Sequence, residues 1–166
     1  MKLQLNIDAP EDGDPQSFFS SVAVKNLEAV FGEELSLFCP GVDRYAQVEL
    51  SVSFLNGSDM REINESHRNV DEPTDVLSFP LWEDEGRFAP KGLPELLPLG
   101  DILVCPEEVR RTHGSLPYAE ALCLVLAHGF LHLLAWDHDT LEKEQAMWER
   151  QEHLKSKLLK VLEEAR

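Results

Sequence analysis

Pro117-Tyr118-Ala119-Glu120-Ala121-Leu122-Cys123-Leu124-Val125-Leu126-Ala127-His128-Gly129-Phe130-Leu131-His132-Leu133-Leu134 decides the architecture. Proline in a first turn followed by leucine- and alanine-rich sequence predicts a helix over 118–134. Its apolar residues leave almost no polar stripe, and a helix of that kind is buried by its neighbours. The longest unbroken apolar run, 121–127, is far shorter than the ~20 residues of a membrane span. The neighbours must therefore be other elements of the same fold.

Those elements lie on either side in sequence. Lys2–Asp8 and Gln47–Phe54 alternate polar and apolar residues and read as strands, as do 75–81 and 99–105. The first strand runs into the turn-rich stretch 10–15. Phe18, Phe19, Val22, Val24, Leu27, Val30 and Phe31 then fit one face of a helix closed by Gly32. Asn56-Gly57-Ser58-Asp59 offers caps for a short polar helix over 60–67. Residues 82–98 form a loop with three prolines, either a lid or a surface insertion. Pro106 opens a short helix, and Asp139 with Glu142 resembles a capping box for a last amphipathic helix reaching about residue 165. The order β-α-β-α-β-β-α-α-α predicts an α/β fold, α+β-like in having a small, mostly four-stranded sheet with helices packed on it.

With 166 residues, 43% of them apolar, the chain suits one domain with a core that needs no staple. The N-terminal strand pattern replaces the apolar block of a signal peptide, so a soluble cytoplasmic protein is expected. Cys39, Cys105 and Cys123 are odd in number and widely spaced, which suits buried thiols in a reducing compartment. The net charge of −16 opposes generic contact with DNA or an anionic membrane, and neither is an expected partner. The charge is uneven: residues 1–60 carry 3 basic and 10 acidic groups, 61–138 carry 6 and 14, and 139–166 carry 6 and 7. An RNA ligand would have to meet a local basic patch.

The chemistry concentrates in 128–138. His128 and His132, four apart on one helix, place their imidazoles on one face with Cβ atoms ~5–6 Å apart. Two ring nitrogens can then reach one ion at ~2.0–2.1 Å. His138 lies six residues on and joins them only if the chain breaks near Ala135 and turns back. Three imidazoles with a fourth position open form a catalytic zinc site. The plainer alternative is a pair of hydrogen-bonded core histidines and an unrelated surface one. Against it, two buried imidazoles without partners would cost about 1–3 kcal/mol each, whereas one metal ion satisfies both. The spacing is also that of a zinc-metallopeptidase signature, but Gly129 stands where that signature has Glu, and Ala135 where it has the turn Gly. Glycine cannot act as a base, so a peptidase or amidohydrolase would need an acid from elsewhere, such as Asp137.

His128-Gly129-x-Leu131-His132-Leu133-Leu134-x-x-Asp137-His138 resembles the histidine signature of the YbeY family of bacterial metal-dependent endoribonucleases. The stretch running from Asn64 through Arg68, Asp71, Pro73 and Asp75 to Pro80, and Leu99-Gly100-Asp101-Ile102, resemble further family motifs in the family's order. The resemblance implies a YbeY-like metallohydrolase domain over 1–166, one Zn²⁺ per chain on His128, His132 and His138, and a functional arginine at Arg68. It also implies a single-strand-directed endoribonuclease of 16S-type small-subunit rRNA 3′-end maturation and ribosome quality control. The partners would be rRNA, the small subunit and ribosome-associated proteins. The chain departs from the family at Ala135-Trp136, where Gly and an aromatic such as Tyr are usual, and at His67, where Tyr is usual.

Physical roles can be set beside the resemblance. The Arg68 guanidinium could hold two phosphate oxygens and offset the charge that builds on them; its simpler role is a salt bridge to an acid in 71–75. Asp137 either orients an imidazole or closes a turn. Asp101 is a remote acid or a surface residue at a strand end. Arg110 and Arg111 suit a helix C-terminus, and His113 and His153 are expected in solvent. Trp136 and His67 either stack on bases or pack on the protein. The attacking group, water or a ribose 2′-hydroxyl, stays open.

Overall fold

The computed structural model describes residues 1–9, 17–91 and 93–165. The turn expected at 10–15 lies outside them. Alternation in the first two strands yields β1 (Lys2–Asp8) and β2 (Gln47–Phe54), at the bounds the pattern predicts. Between them runs α1 (Ser21–Phe38). The helix passes through Gly32 instead of stopping there, because Leu35 completes its buried face and the next turn continues to Phe38. Phe18 and Phe19 precede it and pack edgewise on Tyr118 and against Phe54, while Ser20 caps it by accepting the Ala23 N–H.

A 3₁₀ turn (Val42–Arg44) precedes β2, and α2 (Gly57–Arg68) follows it, capped by the Asn56 side chain. Then come β3 (Val76–Pro80), the short strands β4 (Glu83–Asp84) and β5 (Arg87–Phe88), and β6 (Leu96–Val104). The stretch 82–98 is thus not an unstructured loop. It makes a hairpin, and its last residues begin β6. The remaining helices are α3 (Pro106–Thr112), α4 (Tyr118–Leu133) and α5 (Leu141–Glu164). Thr140, not Asp139, caps α5 by accepting the Lys143 N–H at 3.3 Å; Asp139 instead forms an ion pair with the Lys143 side chain at 2.9 Å.

The sheet order is β1-β2-β6-β3, with β3 alone antiparallel. On one face Leu5, Leu50, Val52, Leu99 and Ile102 meet α1 and α4, and Phe130 of α4 packs on Phe31 of α1 at 4.7 Å between ring centres. On the other face a smaller cluster joins Met60 and Ile63 of α2 to Leu77, Phe79 and Leu103. Helix α5 covers α4 from outside. Its register against α1 is held by Glu34, a fully buried carboxylate that accepts from Arg150 and from Lys157. The three cysteines are buried free thiols, and burial pushes Cys39 and Cys123 up to about 12. Among the described residues no helix is long and apolar enough to cross a membrane.

Gly100 sits at a register shift between β2 and β6 with φ +130°. A Cβ there would run into the Phe79 carbonyl oxygen and come within 3.2 Å of Leu133 Cδ2. Gly100→Ala is therefore expected to lower the unfolding free energy by about 3 kcal/mol, the upper range for an enforced strained backbone. Urea denaturation reads this directly, and a loss under ~0.5 kcal/mol would show that the strand relaxes freely.

Candidate metal centre

The helical spacing of His128 and His132 brings their Nε2 atoms to 3.0 Å. Helix α4 then ends on a pair of backbone bonds in which Trp136 N–H donates to Leu131 and Ala135 N–H to His132, with Ala135 left-handed at φ 64°. This is the helix ending that usually carries glycine at the left-handed position. It reverses the chain and carries His138 back over the helix end, 5.8 Å from the His128 ring and 5.3 Å from the His132 ring between centres. One ring nitrogen from each of the three lies within 4.8 Å of the others. Tetrahedral binding at ~2.0–2.1 Å places donor nitrogens about 3.3 Å apart, a spacing the helical pair already approximates.

The hydrogen bonds of the rings decide what these nitrogens can do. His132 Nδ1–H donates to the Trp136 carbonyl at 2.9 Å, and His128 Nδ1–H donates to Gln151 Oε1 at 2.7 Å. A neutral imidazole that donates from Nδ1 keeps a lone pair on Nε2. Two lone pairs then face each other across 3.0 Å, an arrangement that repels unless a cation stands between them. Burial, followed by the neighbouring His128, holds His132 down to about 4, and burial likewise lowers His128. Both rings are therefore neutral ligands near pH 7. The donor set fits a metal ion of the kind imidazole prefers.

A cleft of about 870 Å³ opens over the three histidines, and Arg68, Ser78, Glu83, Asp137 and Lys143 also line it. Arg68 is the last residue of α2, where left-handed Asn69 (φ 58°) ends the helix. Asp71 and Asp75, the acids in 71–75 that Arg68 could have paired with, are bonded to other side chains. Arg61 binds Asp71 through two bonds of 2.7 and 2.8 Å, and His113 binds Asp75 at 2.8 Å. Among the described residues no acid accepts from Arg68. Asp137 is exposed, and its Oδ1 accepts from the His138 backbone N–H at 2.8 Å, so it shapes the turn that delivers His138. The Nδ1 acceptors of the other two rings come from elsewhere.

Gly129 lies against the sheet. A Cβ there would come within 2.9 Å of Ile102 Cγ2 and 3.2 Å of Ser78 Oγ. The position that carries the catalytic Glu of zinc peptidases thus has no room for a side chain in this chain.

Other residues fall outside the centre. His113, expected in solvent, is only 23% exposed at the side chain because Asp75 takes it. Trp136 packs edge-on against Phe38 at 5.4 Å, and His67 edge-on against Phe79 at 4.9 Å. Asp101 is exposed on β6. Gln151, Ser78, Lys143 and Glu83 were not singled out from sequence. Each is an ordinary polar residue whose only signal is its place in three dimensions.

Fold and site together define an α/β protein with an open three-histidine group able to hold a metal ion. A sequence model described as Endoribonuclease YbeY matches residues 15–159. The chain is 36% identical over 142 residues to the Endoribonuclease YbeY of Thermoanaerobacter sp. (strain X514), covering 80% of this chain and 88% of the relative. It is 40% identical over 115 residues to that of Shouchella clausii (strain KSM-K16), covering 65% and 71%. The solution structure of TM1509 from Thermotoga maritima superposes with a TM-score of 0.54 at 25% identity, covering 94% of this chain and 88% of that one. The chain belongs to the YbeY family.

Two outcomes are expected of the metal-free protein. The unfolded chain protonates His132 near 6.5, whereas the folded chain does so only near 4. The unfolded state therefore binds the extra proton across that window, and stability falls as pH drops through it. Denaturant titrations from pH 6.5 to 4 should show that slope, and His132→Gln should flatten it by up to one proton; an unchanged slope would place the titration elsewhere. Ala135→Gly, which relieves a left-handed side chain, should raise stability by about 1 kcal/mol in the same assay.

Proposed function

We propose that residues 1–166 form one YbeY-like metallohydrolase domain that cleaves RNA with a single zinc ion on His128, His132 and His138. The observation that carries this reading is the pairing, in one cleft, of converging imidazole lone pairs with an arginine from which, among the described residues, no acid accepts. Zinc, when held there, supplies Lewis acidity toward the scissile phosphate and its nucleophile. Arg68 binds the non-bridging phosphate oxygens through its planar fork and offsets the negative charge that grows on them. Asp137 keeps the His138 turn in place. Gly129 argues against the peptidase or amidohydrolase alternative, since no carboxylate fits at that position.

The names of the relatives support an RNA substrate. In keeping with the family, the reading extends to single-stranded RNA at the 3′ end of small-subunit rRNA, to ribosome quality control, and to a cytoplasmic site of action. The net charge of −16 favours delivery to RNA by the ribosomal small subunit or its associated proteins over independent gripping of duplexes.

The test is cleavage of a precursor rRNA fragment by identically prepared wild type, His132→Ala and Arg68→Ala, with and without chelator. Chelator and His132→Ala should each abolish cutting, and Arg68→Ala should slow it about 10²–10³-fold, as loss of a transition-state donor does. Equal cutting by all preparations would assign the activity to a contaminant and sink the reading.

A further inference from the structure

We infer that Gln151 is a positioning residue for the metal centre: its amide oxygen takes the Nδ1 proton of His128 and so keeps Nε2 bare and aimed at the ion. This rests on the metal reading of the three histidines.

The two helical histidines are served by different kinds of acceptor. His132 donates to a backbone carbonyl, that of Trp136, supplied by the end of its own helix. His128 sits one turn earlier on the same helix. Its acceptor comes from another element, α5, 23 residues away in sequence, at 2.7 Å. Free imidazole carries its proton on either nitrogen. An acceptor at Nδ1 selects the tautomer whose Nε2 can bind a metal.

A flexible glutamine would do this poorly, but Gln151 is anchored. The preceding residue, Arg150, donates to the buried Glu34 of α1 and lies over the Phe38 ring at 4.3 Å, and Lys157 reaches the same carboxylate at 3.3 Å. Phe38 is also the ring on which Trp136 packs, at 5.4 Å. One seam between α1 and α5 therefore places both Nδ1 acceptors, the Gln151 amide and the Trp136 carbonyl.

The test compares wild type, Gln151→Met and Gln151→Glu by zinc titration against a competing chelator, with ¹⁵N-histidine NMR of the zinc-loaded proteins. Methionine keeps the length and volume of glutamine without its strong acceptor, and glutamate restores one. Zinc affinity should fall about 10–100-fold in Gln151→Met, the usual cost of losing such a partner, and return to wild type or better in Gln151→Glu. Zinc-loaded wild type should show His128 bound through Nε2 with a hydrogen-bonded Nδ1–H protected from exchange, and Gln151→Met should lose that protection; a merely structural role would change stability and leave the Nδ1–H signal alone. Zinc affinity within twofold of wild type in Gln151→Met overturns the inference. Zinc bound through Nδ1 of His128 in the wild type does so too, and needs no variant to fold. No zinc binding by wild type would instead overturn the metal reading itself, and this inference with it.

Discussion

Helix α4 touches the sheet at Gly129, where the backbone comes so close to Ile102 and Ser78 that no Cβ fits. Ser78 Oγ donates to the Gly129 carbonyl at 3.2 Å, so the approach is bonded as well as packed. This close seat sets the depth of the helix, and with it the positions of His128 and His132 on either side of the glycine. It also puts the end of α4 beside β3, so that the chain reversal at Ala135 opens into the cleft that Arg68 lines from α2. A larger residue at 129 would lift the helix and move both imidazoles away from the arginine. One missing methyl group thus links core packing to the geometry of the site, as expected where interiors tolerate little change in volume.

The electrostatics of the chain are arranged at two scales. Globally it is acidic, with 31 Asp and Glu against 15 Lys and Arg. Locally, Asp71 pairs with Arg61, Asp75 with His113 and Glu108 with Arg111, while Glu83, Asp137 and Asp139 line the cleft itself. Among the described residues none of these acids accepts from Arg68, which faces the same cleft. The buried Glu34 behaves in the opposite way. Its charge is tolerable only because Arg150 and Lys157 both reach it, and the arrangement fixes where α5 can sit. The acid most deeply removed from water therefore governs a histidine it never touches, through the glutamine next to its partner.

Much of the fold was legible because it rests on local period. Lys2–Asp8 and Gln47–Phe54 alternate strictly, and the apolar character of 118–134 admits no other reading than a buried helix. Boundaries are less legible where they hang on a single residue. Gly32 did not end α1, since the helix gained more from burying Leu35 than it lost at the glycine. Asp139 did not cap α5, since Thr140 occupied the position and left the aspartate free to bind Lys143. The hairpin in 82–98 escaped notice because strands of two residues carry no period to detect.

The site divides in the same way. The i, i+4 pair of histidines follows from the 3.6-residue turn, so the amino-acid sequence alone determined that His128 and His132 share a face and that Gly129 could not act as a base. Whether His138 returned to them, which cation took which acid, and what held the Nδ1 proton of His128 were decided only by tertiary structure. The physical reason is range. Helical and strand periods are written in residues that are neighbours in sequence, whereas a hydrogen bond or an ion pair is set by distances of a few ångströms between side chains that the chain brings together from far apart, as it does Gln151 and His128 across 23 residues.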